Sequence, residues 1–134
     1  MLTQNQRNSL VDAAVKVRSK AYVPYSKYQV GSAVLTKAGN IYDGVNVENA
    51  SYPLTNCAER TAIFKAVTAG EKEFLAIAVV TENGGTPCGA CRQVMAEFGL
   101  DTLVMIANSN GEIIQEMTVG ELLPGAFTPK HLPK

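Results

Sequence analysis

Cys57 in one stretch and the pair Cys88 and Cys91 in another are the three cysteines of this chain, and each stretch reads as the beginning of a helix. If these sulfurs share an ion, the N-termini of two separate helices have to meet at one point, and few folds allow that. Cys88 and Cys91 are three residues apart, so in a first helical turn their sulfurs lie on one face. Cys57 must then arrive from another helix. Structural zinc takes four protein ligands, whereas catalytic zinc keeps three and leaves the fourth position to water. Three thiols without a nearby imidazole therefore favour a working site. The sole histidine, His131, lies in a Pro-rich tail without ligand spacing.

Helix N-termini suit this role because their free amides and positive dipole end favour the thiolate over the thiol. Three thiolates around Zn2+ leave the cluster one unit negative, so a cation should draw charge from the sulfurs. Arg60 and Arg92 are close in sequence to the cysteines and are the available donors. Arg60 is the better placed; for Arg92 a solvated position or surface ion pair is the simpler assignment. Glu59, two residues after Cys57, can lie beside the metal without ligating it and exchange protons with a bound water. The competing assignment, less favoured by the spacing, is a capping-box partner for Asn56. For the cysteines themselves the alternatives are small buried apolar side chains or a redox Cys-x-x-Cys pair.

Composition sets outer limits. The 134 residues are 46% hydrophobic, enough for one compact domain spanning 1–134. Twelve basic and twelve acidic residues cancel, and no basic tract is present, which weighs against a protein that binds through phosphates. A small neutral ligand fits better. The chain enters polar helical sequence directly from Met1 without a leader pattern, no segment is long enough to cross a bilayer, and metal-binding thiols favour a reducing compartment, the cytosol.

Thr3 and Gln6 have capping-box spacing, and Leu10, Val11, Ala14, Val15 and Ala21 recur on one face of a first helix that Pro24 ends or follows. Tyr22, Tyr25 and Tyr28 surround that break and read as half-buried tyrosines packing a loop. Val30–Thr36 and Ile41–Val47 form a hairpin about Lys37–Asn40. Asn56 caps a second helix that stops at Gly70. The apolar run Phe74–Val80 is a strand covered on both faces, and 82–87 is a loop leading to a third helix that ends at Gly99. Two more strands, 102–107 and 112–115, are joined too tightly to be other than antiparallel. Three helices and five strands pack most simply as one mixed α/β sheet covered by helices, with the cysteine-bearing helices at the strand ends where ligands bind such sheets.

Five segments together carry a resemblance: Tyr25-Ser26-Lys27-Tyr28-Gln29-Val30-Gly31, Asn46-Val47-Glu48-Asn49-Ala50-Ser51-Tyr52, Cys57-Ala58-Glu59-Arg60-Thr61-Ala62, Cys88-Gly89-Ala90-Cys91-Arg92-Gln93 and Leu122-Leu123-Pro124-Gly125-Ala126-Phe127. The chain resembles the zinc-dependent nucleobase deaminases, and among them the small, homotetrameric, all-cysteine cytidine deaminases. The resemblance implies the cytidine deaminase-like three-layer fold, one Zn2+ per subunit on Cys57, Cys88 and Cys91, and hydrolysis of cytidine and deoxycytidine to uridine and deoxyuridine for pyrimidine salvage. It also implies roles: Glu59 as acid and base, Asn46 and Glu48 on the sugar hydroxyls, the Ala58 backbone and Glu59 on the base edge, Tyr28 against the ring, and Phe127 in a neighbouring subunit's site. The family usually has phenylalanine where this chain has Tyr28, so an extra hydroxyl needs a partner.

Three other readings are separable. Blasticidin-type antibiotic deaminases share the cysteine motifs but not the run Asn46-Val47-Glu48-Asn49. Deaminases of RNA or DNA need a phosphate-binding surface that the charge balance does not offer. A zinc-stabilised binding module without chemistry should have a fourth protein ligand.

Overall fold

The computed structural model describes residues 2–133. Thr3 caps the first helix, α1 (Gln4–Val17), with the reciprocal Thr3–Gln6 bonds of a capping box. Leu10, Val11, Ala14 and Val17 are its buried stripe. Val15 flanks that stripe, partly buried against the same core layer, whereas the helix stops well short of Pro24 and Ala21 lies beyond its end. After a 3-10 turn (Arg18–Lys20) the backbone is claimed by tertiary pairing: the Tyr22 amide donates to the Asn46 carbonyl (3.0 Å) and the Glu48 amide to the Tyr22 carbonyl (2.9 Å).

Strands β1 (Gly31–Thr36) and β2 (Ile41–Val45) form the expected hairpin, with Leu35 opposite Ile41. The turn needs positive φ at Gly39 (94°). Helix α2 (Ala58–Thr68) follows, then β3 (Phe74–Val80), α3 (Gly89–Glu97), β4 (Leu103–Ala107) and β5 (Ile113–Thr118). The sheet order is β2-β1-β3-β4-β5. Only β3 and β4 run parallel; every other neighbouring pair is antiparallel, including β4 with β5.

Alternation along the strands sorts the core into two layers. Ala33, Leu35, Ala76, Ala78, Val80, Met105 and Ala107 pack with Leu10, Val11 and Ala14 of α1. Val34, Ile77, Val79, Val104 and Ile106 face the other way, against Ala62, Ile63 and Ala66 of α2 and Cys91, Met95 and Ala96 of α3. The continuous apolar run of β3 follows from this, because both of its faces are covered. The result is a three-layer α/β arrangement, helix, sheet, helices.

Two features depart from the sequence-based expectation. β5 runs to Thr118, and it leads into a fourth, one-turn helix, α4 (Val119–Leu122), capped by reciprocal Thr118–Glu121 bonds. A helix of four residues is too short to display periodicity, although Thr-x-x-Glu was a readable cap. The three tyrosines also differ: Tyr22, Tyr25 and Tyr28 are exposed, not half-buried in a packed loop.

Glycine at position 44 decides how closely α2 sits on the sheet. A Cβ there would lie 2.5 Å from the Ala62 amide nitrogen and 2.9 Å from Thr61, contacts with backbone that cannot rotate away. Gly44→Ala should therefore cost about 2 kcal/mol, the scale of core overpacking. The measurement is the urea midpoint at constant slope; an unchanged midpoint would mean that α2 withdraws freely.

Candidate active site

Local chain geometry brings the cysteines together. Val47 and Asn56 exchange backbone hydrogen bonds (both 2.9 Å), closing residues 48–55 into a loop and starting α2 beside the end of β2. Cys57, not Asn56, is the N-cap of α2, and its side chain makes no cap bond. Asn56 Nδ2 instead donates to Thr61 Oγ1 (2.9 Å), so Glu59 is not its capping-box partner. Cys88 is the N-cap of α3, and Cys91 lies in the first turn of that helix.

Cys57 Sγ and Cys88 Sγ are 3.8 Å apart, and Cys88 Sγ and Cys91 Sγ 3.4 Å. All three sulfurs lie within 4.8 Å of one another, and all three thiols are free. Thiolates about 2.3 Å from a tetrahedral zinc stand about 3.8 Å apart, so the cluster fits one zinc ion. Electrostatics agree. Hydrogen bonding from Cys91, then from Arg60, whose Nη2 is 3.2 Å from Cys57 Sγ, brings Cys57 down to about 5 against the opposing effect of burial. Its bond to Cys57 and its burial hold Cys91 above the usual thiol range. Both shifts favour the thiolate at Cys57 over that at Cys91, and cationic Arg60 stands against it.

Arg92 does not touch sulfur and is not solvated either. Its Nε donates to the Pro87 carbonyl (2.8 Å) and its Nη1 to the Leu122 carbonyl (2.9 Å). It ties the residue before Cys88 to the end of α4, and neither earlier assignment covers that. Both acceptors are backbone groups, which sequence spacing does not reveal.

Beside the sulfurs lies a cavity of about 280 Å³, lined in part by Tyr28, Asn46, Glu48, Cys57, Glu59 and Cys88. Ala58 lines it as well. Glu59 is 4% exposed. Burial, reinforced by the nearby Cys57 charge, raises its carboxyl to about 6, so it can give and take a proton near neutrality. Asn46 Oδ1 accepts the Val30 amide (3.0 Å) and its Nδ2 donates to the Tyr28 carbonyl (2.8 Å). Glu48 Oε1 accepts the Tyr25 and Ser26 amides (3.0 and 3.1 Å), and Oε2 accepts the Ser26 hydroxyl. Those bonds hold the Glu48 carboxyl below its ordinary range, the Ser26 hydroxyl contributing most. Both side chains brace the Tyr25–Val30 segment and, lining the cavity, keep unused capacity, one amide hydrogen on Asn46 and one lone pair on Glu48.

Cys91 and Arg60 lie behind the cavity wall, on the sulfur cluster, whereas Phe127 lies outside the cavity and makes no contact with the sulfurs. It is 54% exposed, its ring stacks on His131 (centroids 5.5 Å apart), and its carbonyl accepts from Gln93 Nε2. Sequence reasoning had missed Thr81, Gly85 and Thr86, which also line the cavity. They lie in a stretch readable only as a loop, although its position just before Cys88 was a usable signal.

Three convergent sulfurs with a carboxyl-lined cavity beside them define a zinc-binding centre on an α/β sheet. The model of the cytidine and deoxycytidylate deaminase zinc-binding region matches residues 4–107, and the chain belongs to that family. It is 56% identical to a cytidine deaminase of Halalkalibacterium halodurans over 94% of this chain and 97% of the relative. The crystal structure of a cytidine deaminase from Burkholderia pseudomallei superposes with a TM-score of 0.85 at 50% identity, covering 94% of this chain and all of that one. A blasticidin-S deaminase of Bacillus cereus is more distant, 33% identical over 89% of this chain.

Proposed function

We propose that the chain hydrolyses cytidine and deoxycytidine to uridine and deoxyuridine, releasing ammonia. The observation that carries this is the position of Glu59: a buried carboxyl, two residues from Cys57, lining the same cavity as Cys57 and Cys88. Zinc held by Cys57, Cys88 and Cys91 supplies a Lewis acid that makes water nucleophilic at neutral pH. Glu59 takes a proton from the attacking water and delivers it to N3 of the ring, which leaves C4 electrophilic. As the C4–N bond breaks, Glu59 takes the proton of the new C4 hydroxyl and passes it to the departing amine, which leaves as ammonia, and C4 is left as a carbonyl. Arg60 balances the negative sulfurs. The Ala58 backbone contacts the base edge, Asn46 and Glu48 take the sugar hydroxyls with their spare hydrogen-bonding capacity, and the Tyr28 ring lies against the base. Proton transfer of this kind contributes roughly 10²- to 10⁴-fold.

Metal analysis together with ammonia release decides the reading. Cytidine should be turned over, while blasticidin S and a single-stranded cytosine oligonucleotide should not. The 56% identity to a cytidine deaminase against 33% to a blasticidin-S deaminase favours the nucleoside. A chain that binds zinc and releases no ammonia from cytidine would be a binding module instead.

The finer reading is a homotetramer working in pyrimidine salvage in the cytosol. Free thiols suit a reducing compartment, and among the described residues no helix is long and apolar enough to cross a membrane. The exposed Phe127 ring, outside its own chain's cavity, is suited to complete the site of a neighbouring copy. Phe127→Ala should then lower kcat/KM about tenfold, the scale of one lost aromatic–base contact, at unchanged zinc content. Deletion from Pro124 onward should do the same or worse; a fully active truncated monomer would rule the shared site out.

A further inference from the structure

Asn83 is 55 residues from Tyr28 in sequence, and the two side chains meet: the Tyr28 hydroxyl donates to Asn83 Oδ1 at 3.1 Å. Asn83 belongs to the loop between β3 and Cys88, and that loop is well anchored. Thr81 Oγ1 accepts the Gly85 amide at 2.7 Å. Gly84 adopts a φ of 76° and presses on β5, since a Cβ there would lie 2.8 Å from Ile114 Cγ1. Gly85 leaves room for the tyrosine, because a Cβ there would lie 2.9 Å from the Tyr28 hydroxyl.

The other end of Tyr28 is held by cavity residues. Its carbonyl accepts from Asn46 Nδ2, and its amide donates to Ser26 Oγ at 3.0 Å, the hydroxyl that also bonds Glu48. The backbone of Tyr28 is thus pinned, while its ring, 40% exposed, turns about two side-chain torsions. The bond to Asn83 is the contact that fixes the ring tip.

We propose that Asn83 is a positioning residue for the deamination reaction: it holds the Tyr28 ring as a preformed aromatic wall of the nucleoside pocket, linking the Tyr25–Val30 segment to the loop before Cys88. This rests on the nucleoside reading above. A wall already in place spares the substrate the cost of ordering it, so the benefit falls on binding. The chemical step, carried by Glu59 and the metal centre, does not depend on it.

The test is a double-substitution cycle on the zinc-loaded full chain, with KM and kcat for cytidine, uridine affinity by calorimetry, and melting temperature. Tyr28→Phe and Asn83→Ala should each raise KM and weaken uridine binding about fivefold, the scale of one neutral hydrogen bond, with kcat changed less than about twofold. The double variant should be no worse than either single one. Asn83→Asp, which keeps an acceptor for the hydroxyl, should restore KM. Wild-type KM in Asn83→Ala, or single effects that multiply to about 25-fold, would overturn the proposal. So would coupling seen in melting temperature but not in KM, which would make the pair a stability contact. Failure of the nucleoside reading looks different: the unsubstituted chain would then release no ammonia from cytidine.

Discussion

Glu59→Gln should keep its zinc and lose at least about 10³-fold in kcat on cytidine, because the substitution preserves shape and removes the only proposed proton carrier. The amide cannot accept a proton from water at any working pH, so both proton deliveries fail together. Geometry gives little reason for collateral damage: the Asn56 side chain is engaged with Thr61, so Glu59 is not supporting the start of α2. The same substitution separates function from stability. The folded Glu59 carboxyl sits near 6, against 4.5 for the ordinary value, so the native state holds this proton more tightly than the unfolded chain does. The charged form is then a penalty, worth about 2 kcal/mol, that applies in full above pH 6 and disappears as pH falls toward 4.5. In the metal-free chain, Glu59→Gln should therefore melt higher than wild type at pH 7, and this advantage should vanish at pH 4. Near-normal turnover in Glu59→Gln would remove the residue from its role, whatever the stability result.

Removing the metal should be the other large effect. Chelation under reducing conditions should abolish cytidine turnover and lower the melting temperature by about 10 °C or more, and stoichiometric zinc should restore both. A ligand at about 1,000 times its Kd contributes about 4 kcal/mol to the folded state, and a chain of this length converts that into a shift of such size. Cys57→Ala should reproduce the loss and resist rescue, because α3 supplies only two of the three sulfurs. Substitution of Cys91 is less clean: that side chain is fully buried between α3 and the sheet, so packing and ligation are lost together. Full activity in a chelated, zinc-free sample would sink the account of the site.

Much of this architecture was legible in the chain. Thr3 and Gln6 announce α1, the apolar run at 74–80 announces a strand covered on both faces, and the tight link after Ala107 requires antiparallel pairing. Each is a local signal, read within a few residues. The signals failed where long-range contacts overrode them. Ala21 fits a helical pattern, but the chain at Tyr22 pairs with the segment at Val47. Asn56 is a good cap by type, yet its Nδ2 is used by Thr61, and Cys57 holds the cap position. The one-turn α4 has no periodicity to detect.

The same division runs through the site. Cys57, Glu59, Cys88 and Cys91 can be picked out by residue type and spacing, because metal and proton chemistry demand few side chains and tolerate few arrangements. Arg92 reaching two carbonyls, Asn83 reaching Tyr28, and Glu48 bracing Ser26 involve partners from 5 to 55 residues away.

What the sequence determined by itself was the chemical inventory and the helices and strands that carry it, since both depend on neighbours along the chain. Only the tertiary structure decided that the first turns of α2 and α3 meet at one point, with the cavity opening beside them. That meeting depends on the order of strands in the sheet and on the close approach that Gly44 permits, contacts between residues distant in sequence and adjacent only once the sheet has formed.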